Sequence, residues 1–173
     1  MSKGKNMEEF IDEVDTSGNF LAKHRREDLK KSMFLHKIAL IIPKAEGGRI
    51  ILSKRAANKH PDPDTWCCAV GGKVSHGETE EQAAAREMRE EIGKSYPVRK
   101  VTSFVYDKPD YKGLFTLFTT TVPVSISDFT LDPEEIQYSR TFTKEEVKKM
   151  VNENPTSFAP TFIAAIRASI DLL

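Results

Sequence analysis

Three glutamates, Glu87, Glu90 and Glu91, stand at i, i+3 and i+4. On a helix turning ~100° per residue they share one face. Like charges at this spacing repel and cost helix stability. An all-oxygen donor set of this kind is what hard divalent cations such as Mg²⁺ take as ligands. A bare E-x-x-E-E is more often a solvated acidic face, so the flanking residues decide. They run Gly72, five residues, Glu78, seven residues, then Arg86-Glu87-Met88-Arg89-Glu90-Glu91-Ile92-Gly93. The chemistry open to such a cluster is attack on a polyanion. Divalent ions neutralise and bridge phosphate oxygens and lower the pKa of a bound water. A carboxylate then accepts the proton. Glu87 and Glu90 are candidates for that step, as are the later acids Asp132, Glu134 and Glu135.

The element that must carry these carboxylates is the best-marked helix of the chain. Thr79 with Gln82 three residues on forms a capping box, and Gly93 supplies the stop. Ala84, Ala85, Met88 and Ile92 form its apolar stripe. The acidic face is rotated by roughly 130° from the Ala84/Met88 line, which predicts a packed side and a wet side. Upstream, Glu9 to Val14 reads as a strand, Asp15 to Asn19 as a turn and Phe20 to Ala22 as the returning strand. Arg25 to Ser32 reads as a solvated turn or short helix. Strands are expected at His36 to Pro43 and Arg49 to Lys54, with a loop at Asn58 to Asp64. The apolar segment Trp66 to Val70 runs into Gly71-Gly72. Further strands are expected at Val101 to Tyr106 and Leu114 to Val122, a loop at Phe129 to Tyr138, and helices from Thr143 to about Val151 and from Thr161 to Leu173. Strands and helices in this irregular alternation predict a mixed sheet covered by helices.

The segment Gly72 to Gly93 closely resembles the box of the Nudix hydrolases, G-x5-E-x7-R-E-U-x-E-E-x-G-U, where U is a bulky aliphatic residue. Only the last U departs, with Lys94 at what is a packing position at the helix exit. The resemblance implies an α/β/α sandwich with a mixed β-sheet over residues 36–173, and a β-hairpin extension over 1–35. It implies that Glu87, Glu90, Glu91 and the carbonyl of Gly71 bind Mg²⁺, with Mn²⁺ able to substitute. Glu78 and Arg86 would pair behind them and orient the ligands. Arg55 matches a position that contacts substrate phosphate in mutator-type members, and Lys73 would assist at the same anion. The implied reaction is hydrolysis of a pyrophosphate linkage in a nucleoside diphosphate-linked or related organic diphosphate. Specificity would come from His60 to Trp66, Asp107 to Gly113 and Ser125 to Ile136, none of which names a substrate. Dimers are common in the family, which leaves a homodimer open.

The N-terminal hairpin, the His36 strand and the Trp66 region are more similar to the isopentenyl diphosphate isomerase-like branch of the same superfamily. An isomerase of that kind is the alternative enzyme, and a non-catalytic nucleotide-binding module the alternative without chemistry. Such modules usually lose box carboxylates, and here all are kept. His36 matches a metal-binding histidine of the isomerases, although a histidine at a strand start is more often structural. Trp66, Phe104, Tyr106, Tyr111 and Phe115 offer a stacking platform for a base or, equally, core packing. Cys67 and Cys68 read as buried small hydrophobes.

Composition narrows the classes. The chain of 173 residues has 39% apolar and 30% charged residues, enough for a core and unlike a disordered tail. Twenty-six basic and 26 acidic side chains cancel, so no electrostatic footprint for DNA is evident. Apolar runs such as Ile38 to Pro43 fall far short of the ~20 residues that span a bilayer. Met1 to Asn6 is basic but leads into Glu8 and Glu9, without the apolar segment of a secretory leader. The two adjacent cysteines suit a reducing, cytoplasmic setting.

Overall fold

Residue alternation on the central strands builds two cores at once. The computed structural model describes residues 9–173, so the Met1 to Asn6 reading lies outside them. Successive residues of one strand face opposite ways. Ile41, Ile51 and Phe118 accordingly enter one buried cluster, while their neighbours Ile42, Leu52 and Leu117 enter the other. The first is closed by Ala83, Ala84, Met88 and Ile92 of helix α1 (Glu80–Ile92). The second is closed by Val147 and Val151 of α2 (Lys144–Glu153) and by Phe162 and Ile166 of α3 (Pro160–Ser169). Sheet between helices is the α/β/α sandwich expected.

A six-stranded mixed sheet runs in the order β2 (Phe20–Arg25), β1 (Phe10–Val14), β3 (His36–Ile41), β8 (Tyr111–Thr120), β7 (Val98–Lys108). Its sixth strand, β6 (Val70–Lys73), pairs antiparallel with β3, and β3 pairs parallel with β8. The N-terminal hairpin therefore joins the central sheet at Glu13 opposite His36. A second sheet runs β5 (Trp66–Cys68), β4 (Ile50–Arg55), β9 (Ile136–Phe142). Arg26–Lys30 is a 3₁₀ turn, in line with the charged turn read there.

Two readings need correction. Phe129 to Tyr138 is not loop throughout, because β9 begins at Ile136 and pairs with β4 along its length. Only its end residues are buried, so the segment lacks the alternation that marks a strand. Trp66 to Val70 is not one segment either. The chain crosses from one sheet to the other at Ala69, which carries Gly71 and Gly72 against β3.

Candidate active site

Helix α1 has the predicted termini. Thr79 Oγ1 accepts from the Gln82 amide while the Gln82 side chain accepts from Thr79, and Gly93 ends the helix at φ 77°. Its acidic face looks onto β6 across a very narrow gap. A Cβ on Gly72 would lie 2.0 Å from Glu87 Oε1, so only glycine leaves room for this carboxylate.

Arg86 ties the helix to the loop before it. Its Nε donates to Glu78 Oε1 at 2.8 Å and its Nη2 to Glu78 Oε2 at 2.9 Å, a two-pronged pair. Nη2 also donates to the Lys73 carbonyl at 3.0 Å, and Nη1 to Glu87 Oε1 at 2.6 Å. Glu78 accepts the Ser75 amide as well, at 3.0 Å. The Arg86 hydrogen bond holds the Glu78 carboxyl below its usual range. The structure thus brings Glu78, Arg86 and Glu87 into one chain of charge-assisted bonds.

The expectation of a wet acidic face is corrected. Glu91 is only 8% exposed and the Glu87 side chain 12%, while Glu90 remains 44% exposed. The face is a cleft wall because β6 and the loop before β9 cover it. Thr130 N and Asp132 N donate to the carbonyls of Ile92 and Glu91, folding that loop back along the helix end. Burial, and then the nearby Glu87 and Glu135 charges, push the Glu91 carboxyl well above the usual range, while the Gly71 amide donates to it. Burial also raises Glu87.

The cleft has a volume of about 470 Å³ and is lined by Glu87, Glu90, Glu91, Arg86, Gly71, Gly72, Lys73 and Arg55, so the sequence-derived residues meet there. Glu78 stands behind them. Arg55 spends two donors on the carbonyls of Pro61 and Asp62, at 2.8 and 3.2 Å. Burial draws the Lys73 ammonium down to about 8. Of the later acids, Glu135 lines the cleft, held by Lys59, whereas Asp132 and Glu134 do not. Tyr106, Tyr111 and Phe115 line it too, but Trp66 packs on Tyr138 and Phe142, and Phe104 stacks on Phe115 outside it. His36 is buried with its Nδ1 on the Phe34 carbonyl at 3.0 Å and takes no part in the lining. Cys68 is buried as expected, whereas Cys67 is only half-buried and lines the cleft; its surroundings push its thiol up to about 12, which disfavours a nucleophile. Sequence reading missed Glu9 and Arg26, which the N-terminal segment places in the cleft wall. Their only sequence mark was a run of charge.

The donor set fits a hard cation: three carboxylates on one helix face, one of them nearly wholly buried, beside the Gly71 backbone. Among the described residues no three acidic, histidine or cysteine side chains converge on one point, and Arg86 Nη1 is bonded to Glu87.

Residues 34–162 match the family model of the NUDIX domain. A prenyl-diphosphate phosphatase of Methanosarcina mazei is 28% identical over 87% of this chain and 89% of its own. An isopentenyl-diphosphate Delta-isomerase of Photorhabdus laumondii is 33% identical over 58% of this chain and 56% of its own. A crystal structure from Deinococcus radiodurans superposes with a TM-score of 0.78, at 19% identity, over 93% of this chain and 99% of that one. That last likeness concerns the fold. With the matched region covering most of the chain and the box residues meeting in one cleft, the chain belongs to the Nudix family and is a pyrophosphohydrolase of that type.

Proposed function

We propose that the protein hydrolyses the pyrophosphate linkage of a nucleoside diphosphate-linked or related organic diphosphate, with Mg²⁺ as cofactor and Mn²⁺ able to replace it. The observation that carries this reading is the Glu78–Arg86–Glu87 chain, which fixes an acidic helix face inside a cleft that also holds cationic side chains. Glu87, Glu90, Glu91 and the Gly71 carbonyl would hold the metal. When bound, a divalent ion neutralises the diphosphate and lowers the pKa of water. Arg86 and Glu78 hold Glu87 in place, as Arg86 spans both carboxylates. Arg55 and Lys73 receive phosphate oxygens, countering charge that would otherwise repel the incoming oxygen. Glu87, Glu90 or Glu135 accepts the proton, all three being cleft residues.

An organic diphosphate with an apolar group has specific support. The relative from Methanosarcina mazei is named for prenyl diphosphates, and the cleft lining includes the apolar Ile38, Leu40, Phe115 and Phe162. The adjacent free thiols Cys67 and Cys68 favour a cytoplasmic setting. The test is phosphate release from a panel of nucleotides, dinucleotides, nucleotide sugars and prenyl diphosphates with Mg²⁺ or Mn²⁺. Hydrolysis of at least one class, abolished by a chelator, is expected. No hydrolysis of any class with either metal would overturn the reading.

A further inference from the structure

The 3₁₀ turn after the N-terminal hairpin brings Arg26 into the wall of the cleft, beside Lys73. We propose that Arg26 and Lys73 together clamp a phosphoryl group of the substrate, which makes the N-terminal segment part of the active site. This rests on the hydrolase reading for the identity of the anion.

Glu9 fixes Arg26 from two sides. The Arg26 amide donates to the Glu9 carbonyl at 2.8 Å, and Nη1 donates to Glu9 Oε2 at 2.5 Å. A guanidinium has five N–H donors, and Nε and Nη2 of Arg26 meet no acceptor among the described residues. Lys73 has no hydrogen bond or ion pair from its ammonium among them either, although it is half-buried. Two cations with unspent donors line the same cleft, where one anion can take hydrogen bonds from both. The Glu9 contact does not explain the arrangement, because both side chains are more than half exposed and such pairs contribute little stability. Its effect is to aim the fork. A planar fork and a point charge around one site suit a tetrahedral phosphoryl group with several acceptor oxygens. A second hollow shares Glu9, Arg26 and Lys73 with the cleft and adds Arg25, Glu27 and Lys30.

The experiment titrates the full chain with imidodiphosphate, a non-hydrolysable diphosphate, in the presence of Mg²⁺, and measures KM and kcat on the best panel substrate. Arg26→Ala and Arg26→Gln should each weaken imidodiphosphate binding at least ~10-fold and raise KM comparably, with kcat changed by less than ~3-fold. Arg26→Lys should fall between them and the wild type. Lys31→Ala, an exposed cation of the same segment paired with Asp28, should bind like the wild type. Melting temperatures identify any variant that fails to fold, and the Gln variant then decides. Affinity within twofold of wild type in Arg26→Gln, or an equal loss in Lys31→Ala, would overturn the proposal. A wild-type chain that binds imidodiphosphate but hydrolyses nothing counts against the hydrolase reading alone, since the binding comparison still decides the clamp.

Discussion

Gly72 on β6 and Glu87 on α1 stand so close that a methyl group on the glycine would sit 2.0 Å from one carboxylate oxygen and 2.1 Å from Cδ. The strand and helix are set by their packed cores, so the carboxylate must yield. Gly72→Ala should therefore leave the fold standing and rotate Glu87 out of place. A misplacement of this order costs about 100-fold in turnover. Turnover of the purified variant beside its melting curve checks this, and unimpaired turnover would show that Glu87 need not stand there.

Much of this arrangement was legible in the sequence, because α1 announces itself. Its capping box, its Gly93 stop and its Ala84/Met88 stripe are local signals that tertiary contacts reinforce. The spacing of Glu87, Glu90 and Glu91 gave a shared face but not its burial, since that depends on β6 and on the loop from Thr130 to Glu135, far along the chain. Strand β9 was missed because its middle residues are polar and half-exposed, leaving only Ile136 and Phe142 to show an inward pattern. Arg26 was unreadable as a cleft residue because its position depends on the pairing of β1 with β3.

Arg86 and Glu78 should behave as one unit. Arg86→Ala frees both Glu78 and Glu87, and Glu78→Ala removes the anchor of the same guanidinium. Each single variant should lose activity to a similar degree, and the double variant should be little worse than either. A double-mutant cycle in kcat/KM measures the coupling. Clearly additive losses would mean that the two residues act separately.

His36 should make the fold acid-sensitive. Burial lowers its pKa from 6.5 to about 4, and its Nε2 has no partner among the described residues. Between those values the unfolded chain binds a proton that the folded chain refuses, so stability falls as pH drops from 6.5 towards 4. The shift corresponds to up to about 3 kcal/mol. Denaturant titrations at pH 7 and pH 4.5 should show this fall in the wild type and a smaller one in His36→Phe. Equal falls in both proteins would assign the acid sensitivity to other groups.

Isomerisation of isopentenyl diphosphate should be absent, despite the likeness to an isomerase over part of the chain. Chemistry at carbon needs groups that deliver and remove protons. The cleft has Gly71 after the Trp66 strand, which offers no side chain to transfer a proton. Cys67 is held near the Ser53 carbonyl with its thiol pushed up to about 12, which leaves it unsuited to proton transfer. Incubation with isopentenyl diphosphate should yield no dimethylallyl isomer, and its formation at catalytic rates would require a different acid–base pair.

The most direct measurement is turnover of Glu90→Gln at saturating Mg²⁺ on the best panel substrate. Glu90 is the most exposed of the three helix carboxylates, lies outside the buried clusters and meets Arg86 Nη1 only at 3.7 Å, so the fold should survive intact. Loss of an anionic metal ligand should lower kcat at least ~100-fold with an unchanged melting temperature. Turnover close to wild type at saturating Mg²⁺ would contradict the assignment of this helix face as the metal site.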